Sequence, residues 1–171
     1  MSGRDLPARA FRFELASELP CSAESVWQYH LAPGALDRLT PPFPPAAVTD
    51  RGCGVAVGSV VELQLGRGPL ARKWLALHTT VEPPHVFVDV ALESPFRYWI
   101  HQHVVEALGP SRSRLRDVVH FVPAGPLPVR LGGLLARIAL SLLFRWRHRR
   151  TRRDLAAAAG RRSRGPIPKL C

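Results

Sequence analysis

The stretch from Phe96 to Phe121, FRYWIHQHVVEALGPSRSRLRDVVHF, constrains the fold more than any other part of the chain. Successive side chains of a strand point to opposite faces, so Trp99, His101 and His103 at spacing two share one face. The second arm alternates Leu115, Asp117, Val119 and Phe121 with Arg116, Val118, His120 and Val122. Gly109-Pro110-Ser111 between the arms is a turn signal. A turn centred near Pro110 places Asp117 opposite His103 on the same face, and a slip of one residue sends it to the other. The segment therefore reads as two long antiparallel strands. Their inner wall is either Trp99/His101/His103 or Tyr98/Ile100/Gln102.

The segments before it continue the pattern. Strands are expected over 10–19, where Phe11, Phe13 and Leu15 alternate with charged or small residues, and over 59–67, 70–82, 85–93, 96–107 and 113–123. Ala47–Asp50 is a further short strand. The connectors Gly66-Arg67-Gly68-Pro69, Pro83-Pro84, Ser94-Pro95 and the Gly109 turn are short, which argues for an antiparallel meander. In the 70–82 strand, Trp74, Ala76, His78 and Thr80 share one face.

Pro20 ends the first strand. Ser22 is a natural N-cap for a helix running to about Leu31, Pro33-Gly34 breaks it, and a short second helix is expected over Ala35–Leu39. The proline run after Thr40 is rigid and reads as a connector, in preference to a proline-rich ligand for another protein. The spacing GCGVAVG has no helix pattern after it, so a phosphate loop is rejected. A long helix is expected from Leu131 to about Ala159, ended by Gly160. Leu131, Leu134, Leu135, Ile138 and Leu142 form its apolar stripe, while Phe144, Thr151 and Leu155 fall on a different side, which a bend near Phe144 would reconcile. The expected organisation is an N-terminal tail over 1–9, one domain over 10–159 and a basic disordered tail over 160–171. The fold class is α+β, a curved antiparallel sheet wrapped around the last helix, with a cavity between them.

The 171 residues suit one domain with a sizeable core. The formal charge of +11 comes almost entirely from arginine, since Lys73 and Lys169 are the only lysines. Such a bias, alongside many Ala, Pro and Gly, reads more as a GC-rich genome than as a nucleic-acid or lipid surface. Cys21, Cys53 and Cys171 share no metal-ligand spacing and read as free thiols of a reducing compartment. The N-terminus has no apolar signal region, and Leu131–Phe144 is short for a membrane span and contains Arg137. A soluble, cytoplasmic protein is expected.

With these elements in order, the chain resembles the START-like helix-grip superfamily, also called SRPBCC or Bet v 1-like, and within it bacterial polyketide cyclase/dehydrase and lipid-transport domains. The residues that carry the resemblance are Leu39-Thr40-Pro-Pro-Phe43, Trp99-x-His101-x-His103, Leu115-x-Asp117-x-Val119 with Pro123, and Phe144-x-x-Arg147-His148-x-x-Thr151-x-x-Asp154-Leu155. It spans roughly residues 8–158. Some relatives attach such a module to an epimerase-like dinucleotide domain, and no Gly-x-Gly-x-x-Gly unit occurs here. The resemblance implies a hydrophobic-ligand cavity but no particular reaction, because one fold hosts binders, transporters and enzymes.

The expected function is binding of a small hydrophobic molecule, lipid or polyketide-like, with Trp74, His78, Trp99, His101, His103 and Asp117 as the ligand-binding set. Core packing is the plainer role for Trp74 and Trp99, and satisfying a half-buried polar patch is the plainer role for the histidines. The enzyme alternative is a cyclase- or dehydratase-like activity using a His/Asp pair for proton transfer, with no catalytic residue assigned. No metal or cofactor is assigned either: His101 and His103 would need a third and fourth ligand, which His78 and Asp117 supply only if the 70–82 strand lies close. A third class is a basic adaptor in weak contact with an anionic membrane through Arg145–Arg153 and the tail arginines. Against it stands a solvated helix face, with Arg147 and Asp154 in local ion pairs. Nucleic acid is disfavoured, because little aromatic interleaving accompanies the arginines. The oligomeric state is left open.

Overall fold

The structure, a computed structural model, describes residues 7, 9–42, 45–125 and 127–162. The expectations for the 1–9 tail, the disordered tail beyond Arg162, Phe43 and Cys171 lie mostly or wholly outside these residues.

One seven-stranded antiparallel sheet organises the chain. Its strands are β1 (Phe11–Leu19), β2 (Ala46–Asp50), β3 (Val60–Leu65), β4 (Arg72–Glu82), β5 (Val86–Glu93), β6 (Phe96–Gly109) and β7 (Arg112–Pro123). The order across the sheet is β1-β7-β6-β5-β4-β3-β2. Strands two to seven are a meander, as the short connectors require. The one non-local pairing joins β1 to β7, with Phe13 opposite Val119 and Leu15 opposite Asp117. Helices α1 (Ala23–Leu31) and α2 (Ala35–Arg38) link β1 to β2, and α3 (Val129–Arg162) follows the sheet. Ser22 caps α1 as expected, its hydroxyl oxygen accepting from the Ser25 N–H at 3.2 Å. This is the α+β helix grip, a curved sheet holding a long C-terminal helix.

Register in the central hairpin resolves the ambiguity left by the turn. His103 pairs with Asp117, His101 with Val119 and Trp99 with Phe121. Trp99, His101 and Val105 are buried, and it is this face that looks toward α3, where the His101 ring meets Phe144 at 4.9 Å. Tyr98, Ile100 and Gln102 belong to the opposite face.

The last helix departs from expectation in two ways. It continues through Gly160, which does not end it. More consequentially, the Leu131, Leu134, Leu135, Ile138 and Leu142 stripe faces away from the sheet, with exposures of 45–66%. The packed face is Gly133, Leu140, Phe144, His148 and Thr151, about 180° round at 100° per residue. No bend is needed, because the two sets serve different sides. Small residues allow the packed face to come close: a Cβ on Gly133 would lie 2.3 Å from the Phe11 ring.

Two apolar clusters result. One joins Leu19, Val26, Trp27, Phe87, Val105 and Leu115 under α1. The other joins Phe13, Trp99, Val119, Phe121, Leu140 and Phe144 under α3. The polar groups of the site lie between them.

Candidate functional site

All six residues singled out in the sequence belong to the concave side of the sheet. Trp74 sits edge-on to Trp99 at 4.8 Å. His78 is buried on β4 and pairs across from Asp89 on β5. His101 and His103 neighbour each other on β6, ring centroids 3.8 Å apart, and Asp117 faces them from β7.

Asp117 is the hub. Its Oδ1 lies 2.9 Å from His101 Nε2, hydrogen-bonded, and 2.8 Å from His103 Nδ1 at ion-pair distance. The His103 contact is close but not aligned as a hydrogen bond. Oδ2 lies 2.6 Å from His148 Nε2, on α3. The second ring nitrogen of His148 lies 2.8 Å from the Ser17 hydroxyl on β1. One carboxylate thus ties β6, β7, α3 and, through His148, β1.

A second carboxylate, Asp89, completes the cluster. Its Oδ2 lies 3.2 Å from His101 Nδ1 and 3.7 Å from His103 Nε2. The rings are held from both sides: His103 stacks on Phe87 at 4.0 Å and 18°, and His101 is edge-on to Phe144.

Burial and charge pull in opposite directions here. Burial alone would depress the His101 imidazole, but Asp89 and Asp117 outweigh it and raise the pKa to about 9. Burial would raise Asp89, yet His101 and His103 hold it below the usual carboxylate range. Asp117 is likewise held well below, against burial, by His103, His101 and His148. For His30, whose Nδ1 lies 2.8 Å from the Val26 carbonyl, burial, reinforced by His103, outweighs the pull of that carbonyl and of Asp117 and pushes it down to about 4. Burial also lowers His78, whose Nδ1 has no hydrogen-bond partner.

Asp89, His148 and Ser17 were not singled out as site residues in the sequence. Asp89 had a signal: it is the lone carboxylate in Val-Phe-Val-Asp-Val-Ala, on the parity of buried Phe87. His148 had one too, four residues after Phe144 on the packed face. Ser17 had none. Of the local ion pairs expected for Arg147 and Asp154, Asp154 makes one, with Arg150, whereas Arg147 is engaged elsewhere. Its Nε donates to the Leu39 carbonyl at 2.9 Å, tying α3 to the end of α2, and burial lowers its pKa. Asp154 instead accepts from Arg150 at 3.0 Å and from the Tyr29 hydroxyl at 2.9 Å.

Two clefts open beside α3. The larger, about 440 Å³, is lined by α2, Thr40–Pro42, β2, Trp146 and Arg150, and no member of the His/Asp cluster lines it. The smaller, about 140 Å³, is lined by Leu15, Ser17, Arg145, His148, Arg149 and Arg152. It reaches the cluster through His148. Among the described residues, no helix is long and apolar enough to cross a membrane.

Comparisons with known proteins agree with the fold. An aromatase/cyclase, ZhuI from Streptomyces sp. R1128, is similar over 91% of this chain and 97% of its own, with a TM-score of 0.60 at 20% identity. Ara h 8.0201 is similar over 86% and 99%, with a TM-score of 0.58 at 15% identity. A nucleoside-diphosphate sugar epimerase from Corynebacterium glutamicum matches 84% of this chain with a TM-score of 0.64 at 25% identity, but only 29% of that longer protein is covered. No curated protein sequence matches. A family model described as "Domain of unknown function (DUF8410)" matches residues 17–155. The chain therefore belongs to the DUF8410 family, and it is built on the helix-grip fold.

Proposed function

We infer that this protein binds a small hydrophobic molecule, lipid or polyketide-like, against the concave face of the sheet, with the His101/His103/Asp117 cluster as its polar anchor. The observation that carries the reading is the convergence of Trp74, His78, Trp99, His101, His103 and Asp117 on that face. Aromatic walls with a few convergent polar groups are the usual make-up of a small-molecule site. Of the two clefts beside α3, the one that reaches the cluster is the smaller, about 140 Å³, through His148. The similarity to an aromatase/cyclase and to Bet v 1-like proteins is consistent with it. Native mass spectrometry of protein purified from its own host is the test, with extraction of whatever is retained. The expected result is an apolar molecule at one equivalent, lost or weakened about tenfold in His103→Ala, which removes one anchoring hydrogen bond of about 1.4 kcal/mol. Protein that is empty, and that no apolar probe such as a fatty acid or an aromatic polyketide saturates, sinks the reading.

A second reading concerns where such a carrier works, and the outward face of α3 favours it. Five exposed large apolar side chains, Leu131 to Leu142, run into Arg145, Arg149, Arg152 and Arg153 on that same side. Asp154 is the one carboxylate on α3, and it is engaged by Tyr29 and Arg150. An apolar stripe flanked by arginine and free of acid complements an anionic bilayer, in which such a helix lies flat. Full-length protein should sediment with phosphatidylglycerol vesicles and not with phosphatidylcholine vesicles, less at high salt. The triple variant Leu134→Ser, Ile138→Ser, Leu142→Ser should lose this at least tenfold. If instead the stripe mediates self-association, with a concentration-dependent mass that the triple variant abolishes and no vesicle binding, the membrane reading fails.

A further inference from the structure

We propose that Asp89, His101 and His103 form a binding site for a divalent first-row transition-metal ion. This goes beyond ligand binding in the cavity and does not depend on it.

The three residues each offer one ligand atom, and these lie within 4.8 Å of one another. The Asp89 Oδ2 separations are 3.2 Å to His101 Nδ1 and 3.7 Å to His103 Nε2. A tetrahedral ion with bonds of about 2.0–2.1 Å sets its ligand atoms about 3.3 Å apart, close to both of the Asp89 separations. On the other side of the rings the spacing is different. His101 Nε2 and His103 Nδ1 lie 2.9 and 2.8 Å from one oxygen of Asp117. The His101 Nε2 contact is a hydrogen bond, and the His103 contact is as close without being aligned as one. With its proton on that side, His101 turns the Nδ1 lone pair toward Asp89. Metal-bound histidines typically give their remote N–H to such a carboxylate, which fixes tautomer and orientation. Asp117 is itself fixed by His148 at 2.6 Å.

One further feature supports an ion over a simple polar patch. The ligands sit on adjacent strands, β5 and β6, with rings clamped by Phe87 and Phe144, so the triad is rigid before anything binds. No ligand atom of the neighbouring His78 falls within that 4.8 Å group, so an oxygen of water or of a bound molecule takes the fourth position. Two imidazoles and a carboxylate suit zinc, iron(II), cobalt(II), nickel(II) or manganese(II), and not calcium or magnesium.

The test is titration of chelator-treated full-length protein with cobalt(II) and with zinc(II), against a competing chromophoric chelator. One equivalent should bind, and Asp89→Asn and His103→Ala should each weaken it at least 100-fold, with Asp117→Asn weakening it about 10–100-fold as a loss of ring orientation. Should those variants unfold, the wild-type cobalt complex decides by itself: hyperfine-shifted imidazole protons and no thiolate charge-transfer band are expected. The proposal is overturned if neither metal binds at one equivalent, if folded Asp89→Asn or His103→Ala binds like wild type, or if a thiolate band places the ion on cysteine.

Discussion

Replacing Asp117 with alanine is expected to destabilise the metal-free protein by about 3–5 kcal/mol, the usual consequence of removing one partner from a buried charged network. The carboxylate is 2% exposed and faces three imidazoles. Its loss leaves His148 Nε2 and His101 Nε2 buried without their acceptor. The asparagine variant keeps one acceptor oxygen, so it should fall between alanine and wild type. The pH dependence carries the same signature. His101 is raised to about 9 in the folded protein, so its stabilising contribution is complete below the unfolded value of about 6.5 and is lost as pH rises through 9. Asp89 and Asp117 are depressed, so theirs is present above about 3.9 and lost on acidification. His30, pushed to about 4, and His78 also favour the neutral form when folded, and they lose stability as pH falls below about 6.5. Stability should therefore peak near pH 6.5, and the alkaline limb should flatten in Asp117→Ala. Denaturant unfolding of both proteins from pH 5 to 9 checks this, and a wild-type stability that climbs steadily to pH 9 would contradict it.

The hairpin that holds Asp117 is the part of the fold most legible in the sequence. Strict alternation, one turn signal and a buried face leave register few choices, and the expected His103/Asp117 pairing is the observed one. The strands before it were readable for the same reason, to within two residues or so at each end. Half of the cluster was not readable. Asp89 joins through the β5–β6 hairpin, where it pairs with His101, while only the non-local packing of β1 and of α3 against β7 brings Ser17 and His148 to Asp117. Local periodicity holds no record of such contacts. The signals that did exist, an aspartate in a valine-rich strand and a histidine one turn after a buried phenylalanine, gain meaning only once Asp117 is known to lie beneath them.

Phe144→Ala is expected to cost about 3–5 kcal/mol, whereas Leu142→Ser, two positions earlier on the same helix, should change stability by less than about 0.5 kcal/mol. Apolarity alone ranks the two residues alike and assigns the core to the richer leucine stripe. The geometry reverses that order. Phe144 is 1% exposed, its ring 5.5 Å from Phe13 and 4.9 Å from His101, with Arg147 above it at 5.5 Å. Truncation leaves a cavity between sheet and helix and removes one wall of the His/Asp cluster. Leu142 is 66% exposed and touches neither core cluster. The reason is steric as well as hydrophobic. The face that meets β1 must let the helix come down on Phe11, which Gly133 allows and a leucine there would not. The packed face is therefore the one with small and aromatic residues, and the leucines are left outward. Urea unfolding of the two variants decides it: a costly Leu142→Ser beside a tolerated Phe144→Ala would mean that α3 is rotated by half a turn and that His148 does not reach Asp117.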